Sequence, residues 1–159
     1  MDSEPAIGNA AQSIAERKGY PVLRTLFALI SGVFAMMIVI TFVELANAKL
    51  LFPPPAGMDW NDSAAVAAFA ASMPTAAMAM VLFGWLLGAF VGAVVAARIA
   101  LRHRLPCALL VAALVVAGTI HSALTIPHPT WMIAAGILLP WPLAWLAARL
   151  AQNGFKITR

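Results

Sequence analysis

Two ionisable side chains, Glu44 and His121, stand inside long apolar runs and are the first candidates for chemistry. Each has polar company close by: Thr41 and Asn47 beside Glu44, Ser122 and Thr125 beside His121. Residues three and four apart share a helix face, so Thr41, Glu44 and Asn47 form one patch. Thr75, at the outer start of the second span, and His128, in the loop before the fourth, are placed to join the cluster. A carboxylate next to an imidazole can relay a proton, bind a cation or hold a polar group of a ligand. Ionisable groups at membrane depth are costly to bury, which makes this a functional candidate. The plain alternative is structural. Glu44 is then solvated at an interface or paired with Lys49 about one turn on, and His121 bonds a carbonyl of a neighbouring helix.

Other chemistries lack their residues. There are no paired catalytic carboxylates, no nucleophile triad and no phosphate loop. The Gly84 series has no Lys-Ser/Thr after it and no strand before it. Zinc would need a denser ligand set. The expectation is no metal, no cofactor and no enzymatic activity. If the chain were an enzyme after all, Glu44, Asp59, Asp62, His121 and His128 would be its groups, but no spacing among them specifies a reaction.

The elements that must hold the cluster are membrane helices. Of 159 residues, 63% are hydrophobic and 10% charged, where a soluble domain has about 25% charged residues. The single cysteine, Cys107, excludes an intrachain disulfide. Spans of about 20 apolar residues are long enough for the hydrocarbon layer. They fall at about 22–45, 74–97, 106–126 and 131–149, with a polar tail at 1–19 and a basic tail at 151–159. Ala46-Asn47-Ala48 has the small-x-small form of a signal cleavage site. The apolar run before it exceeds the usual signal core and Glu44 precedes the site, so it reads as a first span. Pro53-Pro54-Pro55 ends that helix. Asp62 or Ser63 can cap a short surface helix over 64–71. Pro140, inside the fourth span, denies the Gly136 carbonyl its donor and predicts a kink.

Orientation follows from the basic residues. With the N-terminus inside, Arg17, Lys18, Arg24, Arg98, Arg102, Arg104, Arg149, Lys156 and Arg159 are cytoplasmic and only Lys49 is outside. Positive residues stay inside, so both termini are expected in the cytoplasm. The net charge of +4 then reports topology and anionic lipid headgroups, not nucleic acid. In this orientation Glu44 lies 20 residues beyond Arg24 and His121 lies 17 beyond Arg104. That is about 30 Å and about 26 Å of rise, which predicts similar depth near the outer boundary.

The second span carries Gly84, Gly88, Gly92 and Ala96 at every fourth position. A four-residue step turns about 400°, so the stripe stays on one face and lets another backbone approach. Phe83, Leu86, Leu87, Phe90 and Val94 fall roughly opposite, toward lipid. Trp85, close to the glycine face, is expected to pack on a neighbouring helix. Tyr20 and Trp131 suit the inner and outer aromatic belts.

Glu44 ahead of Leu51-Phe-Pro-Pro-Pro-Ala-Gly57-Met-Asp59, the glycine helix, and Ile126-Pro-His-Pro-Thr-Trp131 together give the chain its character. It resembles small, uncharacterised four-helix inner-membrane proteins of bacteria. The resemblance implies that location and brings no activity, cofactor or substrate. The expected fold is all-α, a four-transmembrane-helix bundle with a short extracytoplasmic surface helix. The leading functional expectation is a non-enzymatic structural, accessory or self-associating bundle. Its partners would be the lipid bilayer and a second copy or another membrane protein. The alternative is a small proton-coupled transporter or ligand-binding membrane protein built on the outer Glu/His cluster.

Overall fold

The computed structural model describes the backbone of residues 4–153 and the side chains of residues 22–152. The side chains of the polar segment 1–19 and most of the basic tail 151–159 lie outside that range. The described chain is all-α: α1 (Glu4–Ala46), a π turn (Asn47–Leu51), α2 (Ser63–Ser72), α3 (Thr75–Ala100), α4 (Arg104–Thr125), α5 (Thr130–Leu138) and α6 (Pro140–Asn153). Four stretches are long and apolar enough to cross a membrane: Val22–Leu51, Thr75–Ala100, Arg104–Thr125 and Thr130–Gln152. This is the architecture of a multi-pass membrane protein.

α1 starts well ahead of the first apolar run and continues through Pro21. Residues 10–18 are rich in Ala, Gln, Glu, Arg and Lys, all good helix formers, so the polar segment is helical. At its other end α1 widens into the π turn, where the Phe52 N–H donates to the Asn47 carbonyl at 2.8 Å. The prolines that follow cannot continue the helix. α2 begins where the Asp62 carboxylate accepts the Ala64 N–H at 2.9 Å, a side-chain cap. In the fourth span Pro140 has no N–H for Gly136, and the helix breaks into α5 and α6 at Leu139.

α3 carries the main packing. α1 runs along one side, and α4 and α6 along the others. The glycine stripe sets the α1–α3 distance. A methyl added at Gly92 would meet the Gly32 carbonyl at 2.6 Å, and one at Gly32 would meet the Ala96 Cβ at 2.7 Å. A methyl at Gly88 would reach Ile40 Cγ1 at 2.5 Å, and one at Gly84 would reach Val43 Cγ1 at 3.1 Å. The other side of α3 meets an alanine layer formed by Ala108 and Ala112 of α4 with Ala144, Ala147 and Ala148 of α6. That second contact corrects one expectation. Of the five bulky residues assigned to lipid, only Phe83 is exposed. Phe90 and Val94 lean on the alanine layer, and Leu86 leans on Met78, Leu82 and Met132. A central helix has neighbours on two sides, so little of it is left for lipid. The lipid-type surface belongs to α1, where Leu23, Phe27, Ile30, Phe34 and Phe42 are exposed at helical spacing.

At the end opposite α2, basic side chains hold the helix termini together. Arg24 Nε donates to the Ile99 carbonyl at 2.7 Å, and Arg104 Nη1 donates to the Ala151 carbonyl at 2.9 Å. Last-turn carbonyls lack intrahelical donors, and cations there also suit the helix dipole.

Candidate functional site

The site lies at the α2 end of the bundle, and Gly84 explains why. Because α3 has no side chain there, Val43 of α1 comes into contact. The next residues in each helix, Glu44 and Trp85, are thereby brought within reach. Trp85 Nε1 donates to Glu44 Oε1 at 3.1 Å. The Trp85 ring also lies 5.9 Å from the His128 ring, tilted by 47°.

His128 is held by the rigid Pro127-His128-Pro129 connection and by its own ring nitrogens. Nδ1 is 2.7 Å from the Ile126 carbonyl. A carbonyl only accepts, so Nδ1 carries a proton and donates to it. Ser122 Oγ lies 3.5 Å from Nε2.

Asn47 completes the polar set. The π turn directs it inward, where it is only 2% exposed. Its Nδ2 donates to the Ala77 carbonyl at 3.3 Å, while its Oδ1 is buried without a partner among the described residues.

These residues line two adjoining cavities. The outer one, about 350 Å³, lies beneath α2 and contains Glu44, Asn47, Trp85, Ser122 and His128 with Phe69, Met73 and Met78. Trp60 closes it, stacked edge-to-face on Phe69 at 6.4 Å. The inner one, about 270 Å³, continues between α1, α3 and α4 past Met36, Ile40, Leu114 and Thr119. Glu44, Trp85 and Ser122 line both. Gly118 widens the inner cavity, since a methyl there would touch nothing within 4 Å. Among the described residues no Lys or Arg lines either cavity.

The structure therefore brings together Glu44, Asn47, Ser122 and His128. His121 and Thr41 are exposed and line neither cavity. One residue along a helix is a 100° turn, so placing Ser122 toward Glu44 turns His121 outward. Thr75 is exposed at the start of α3. Asp59 accepts the Asn61 N–H at 2.9 Å, and Asp62 is occupied as the α2 cap. Gly84, Gly88, Gly92 and Ala96 are buried against neighbouring helices; Gly84 borders the Glu44–Trp85 pair and the other three lie further from it. The residues missed as site members are Trp85, Trp60 and Phe69. For Trp85 the signal was present: it follows the glycine that admits α1. Among the described residues no group of three His, Cys, Asp or Glu could hold a metal ion.

The chain matches no protein-family model, no curated protein and no solved structure.

Proposed function

We propose that this chain is a binding protein of the bacterial inner membrane, with both termini in the cytoplasm, that takes a small amphipathic cation at the Glu44–Trp85 pair. One observation carries the reading: among the described residues the two cavities are lined by the Glu44 carboxylate and by no Lys or Arg, amid aromatic and aliphatic walls. The Glu44 carboxylate and the unpaired Oδ1 of Asn47 suit a ligand that donates hydrogen bonds or carries positive charge. Indole faces attract organic cations, and apolar walls of this kind bury the rest of a small ligand. The glycine stripe is taken up by α1, which weakens the case for self-association through that face.

Benzyltrimethylammonium titrated into the protein in lipid nanodiscs, followed by calorimetry, tests this. Wild type should bind it in preference to benzenesulfonate, and Glu44→Gln should weaken binding about tenfold or more through loss of the charge. Equal binding of the anion, or an unaffected Glu44→Gln variant, overturns the proposal.

A second reading, proton-coupled transport, is favoured by the sharing of Glu44, Trp85 and Ser122 between the two cavities. A ligand moving from one to the other would pass the carboxylate and break its bond with Trp85. Flux of the same cation into proteoliposomes, driven by a proton gradient and lost in Glu44→Gln, would support it; binding without flux would leave the chain a binding protein.

A further inference from the structure

The bundle has a larger cavity at its other end, unrelated to Glu44. It measures about 580 Å³ and lies between α1 and α4 at the turn that follows α3. Its composition is divided. At the turn it presents Arg102 and His103, with Thr25 Oγ1 3.5 Å from His103 Nδ1. Beside that polar end stands Val22, the first residue of its span, and further into the spans stand Leu26 and Leu110. These three are 61%, 54% and 51% exposed, on helices that can cross a membrane, so the apolar part of the cavity opens sideways to lipid. Among the described residues no carboxylate lines it. Cys107 forms a buried part of its floor.

Arg24 and Arg104 also stand at this end, but each donates to a helix carbonyl. Arg102 and His103 are the nitrogen-bearing side chains that border the cavity. A cationic rim above an apolar, laterally open groove is complementary to one kind of molecule: a negatively charged headgroup with an acyl chain attached. Basic pockets between transmembrane helices recognise phosphate headgroups in this way. The guanidinium fork matches phosphate oxygens, and the neighbouring imidazole and hydroxyl supply further polar contacts.

We propose that this cavity is a specific site for one anionic phospholipid, its phosphate against Arg102 and His103 and an acyl chain along Leu26 and Leu110. The lipid would fill the gap between α1 and α4 and join the two helices at the end where α1 otherwise touches mainly α3.

Native mass spectrometry of protein released from nanodiscs of mixed phosphatidylglycerol and phosphatidylcholine tests the site. Wild type should retain one phosphatidylglycerol in preference to phosphatidylcholine. Arg102→Gln with His103→Gln should lower that preference about fivefold or more, the scale of losing a cation near an anionic headgroup. Lys49→Gln, at the far end, should leave it unchanged. Leu110→Ala should weaken retention of both lipids without altering the preference. If the double variant does not fold, Arg102→Gln alone, at an exposed position, carries the same expectation. Retention of the preference in the charge variants, or full displacement of the lipid by millimolar inorganic phosphate, overturns the proposal. The second outcome would show a phosphate site with no role for the groove. Neither depends on cation binding at Glu44.

Discussion

Asn47 is the residue that best separates architecture from function. It is nearly fully buried, and half of its amide is used: Nδ2 serves the Ala77 carbonyl while Oδ1 has no partner among the described residues. A buried polar atom left unpaired costs about 1–3 kcal/mol. A purely structural bundle would gain from a leucine there. If Oδ1 instead serves a bound donor, the cost is recovered on binding. Asn47→Leu is therefore expected to leave thermal stability unchanged or raise it by up to about 2 kcal/mol, by the same desolvation argument. The same substitution should weaken benzyltrimethylammonium binding. Thermal unfolding in detergent, with and without the cation, reads both effects. A large loss of stability without ligand would show that the bond to Ala77 is what keeps the asparagine.

At the scale of elements, the α1–α3 contact makes a graded prediction. Gly92 meets backbone first, the Gly32 carbonyl at 2.6 Å with Met36 Cβ at 2.8 Å, whereas Gly88 meets the Ile40 side chain first and the Met36 carbonyl only at 3.1 Å, and Gly84 has the most room. Alanine should therefore destabilise in the order Gly92, Gly88, Gly84, with about 1–3 kcal/mol at Gly92 from overpacking. Gly118→Ala meets nothing and should stabilise by up to about 1 kcal/mol from helix propensity. Unfolding of the four variants in detergent checks the order; equal effects at Gly92 and Gly118 would refute it. Local features of this kind were legible from the sequence. The glycine period, the Asp62 cap, the triple proline and the Pro140 break each act through nearby residues. The rotation of α4 about its axis was not legible, because it depends on how whole helices seat against each other. Depth along the helices points to His121, and only packing decides that Ser122 instead shares the cavities with Glu44. The π turn was hidden for the same reason, since nothing in Asn47-Ala-Lys-Leu-Leu51 marks a widened turn until α3 stands beside it.

For the whole molecule, the two cavities divide the chain by charge. The α2 end holds Glu44, Asp59 and Asp62 with Lys49, and the other end holds Arg24, Arg98, Arg102, Arg104 and Arg149. The proposed orientation rests on this asymmetry, since Lys and Arg in short loops near the spans tend to be retained on the cytoplasmic side. The turn between α3 and α4 is short and carries Arg102 and Arg104, so it is the strongest single determinant. The cavity at Glu44 would then open away from the cytoplasm, toward cations arriving from outside. The arginine-rimmed cavity would lie in the leaflet facing the cytoplasm. With Cys107 replaced by serine, a single cysteine at Ser72 is expected to react with a membrane-impermeant maleimide in intact cells. A single cysteine at Gln152 should react only after the cells are opened. The reverse pattern would invert the molecule and place the Glu44 cavity on the cytoplasmic side. Labelling of both positions in intact cells would mean that the chain inserts in two directions, and neither cavity would then belong to one side.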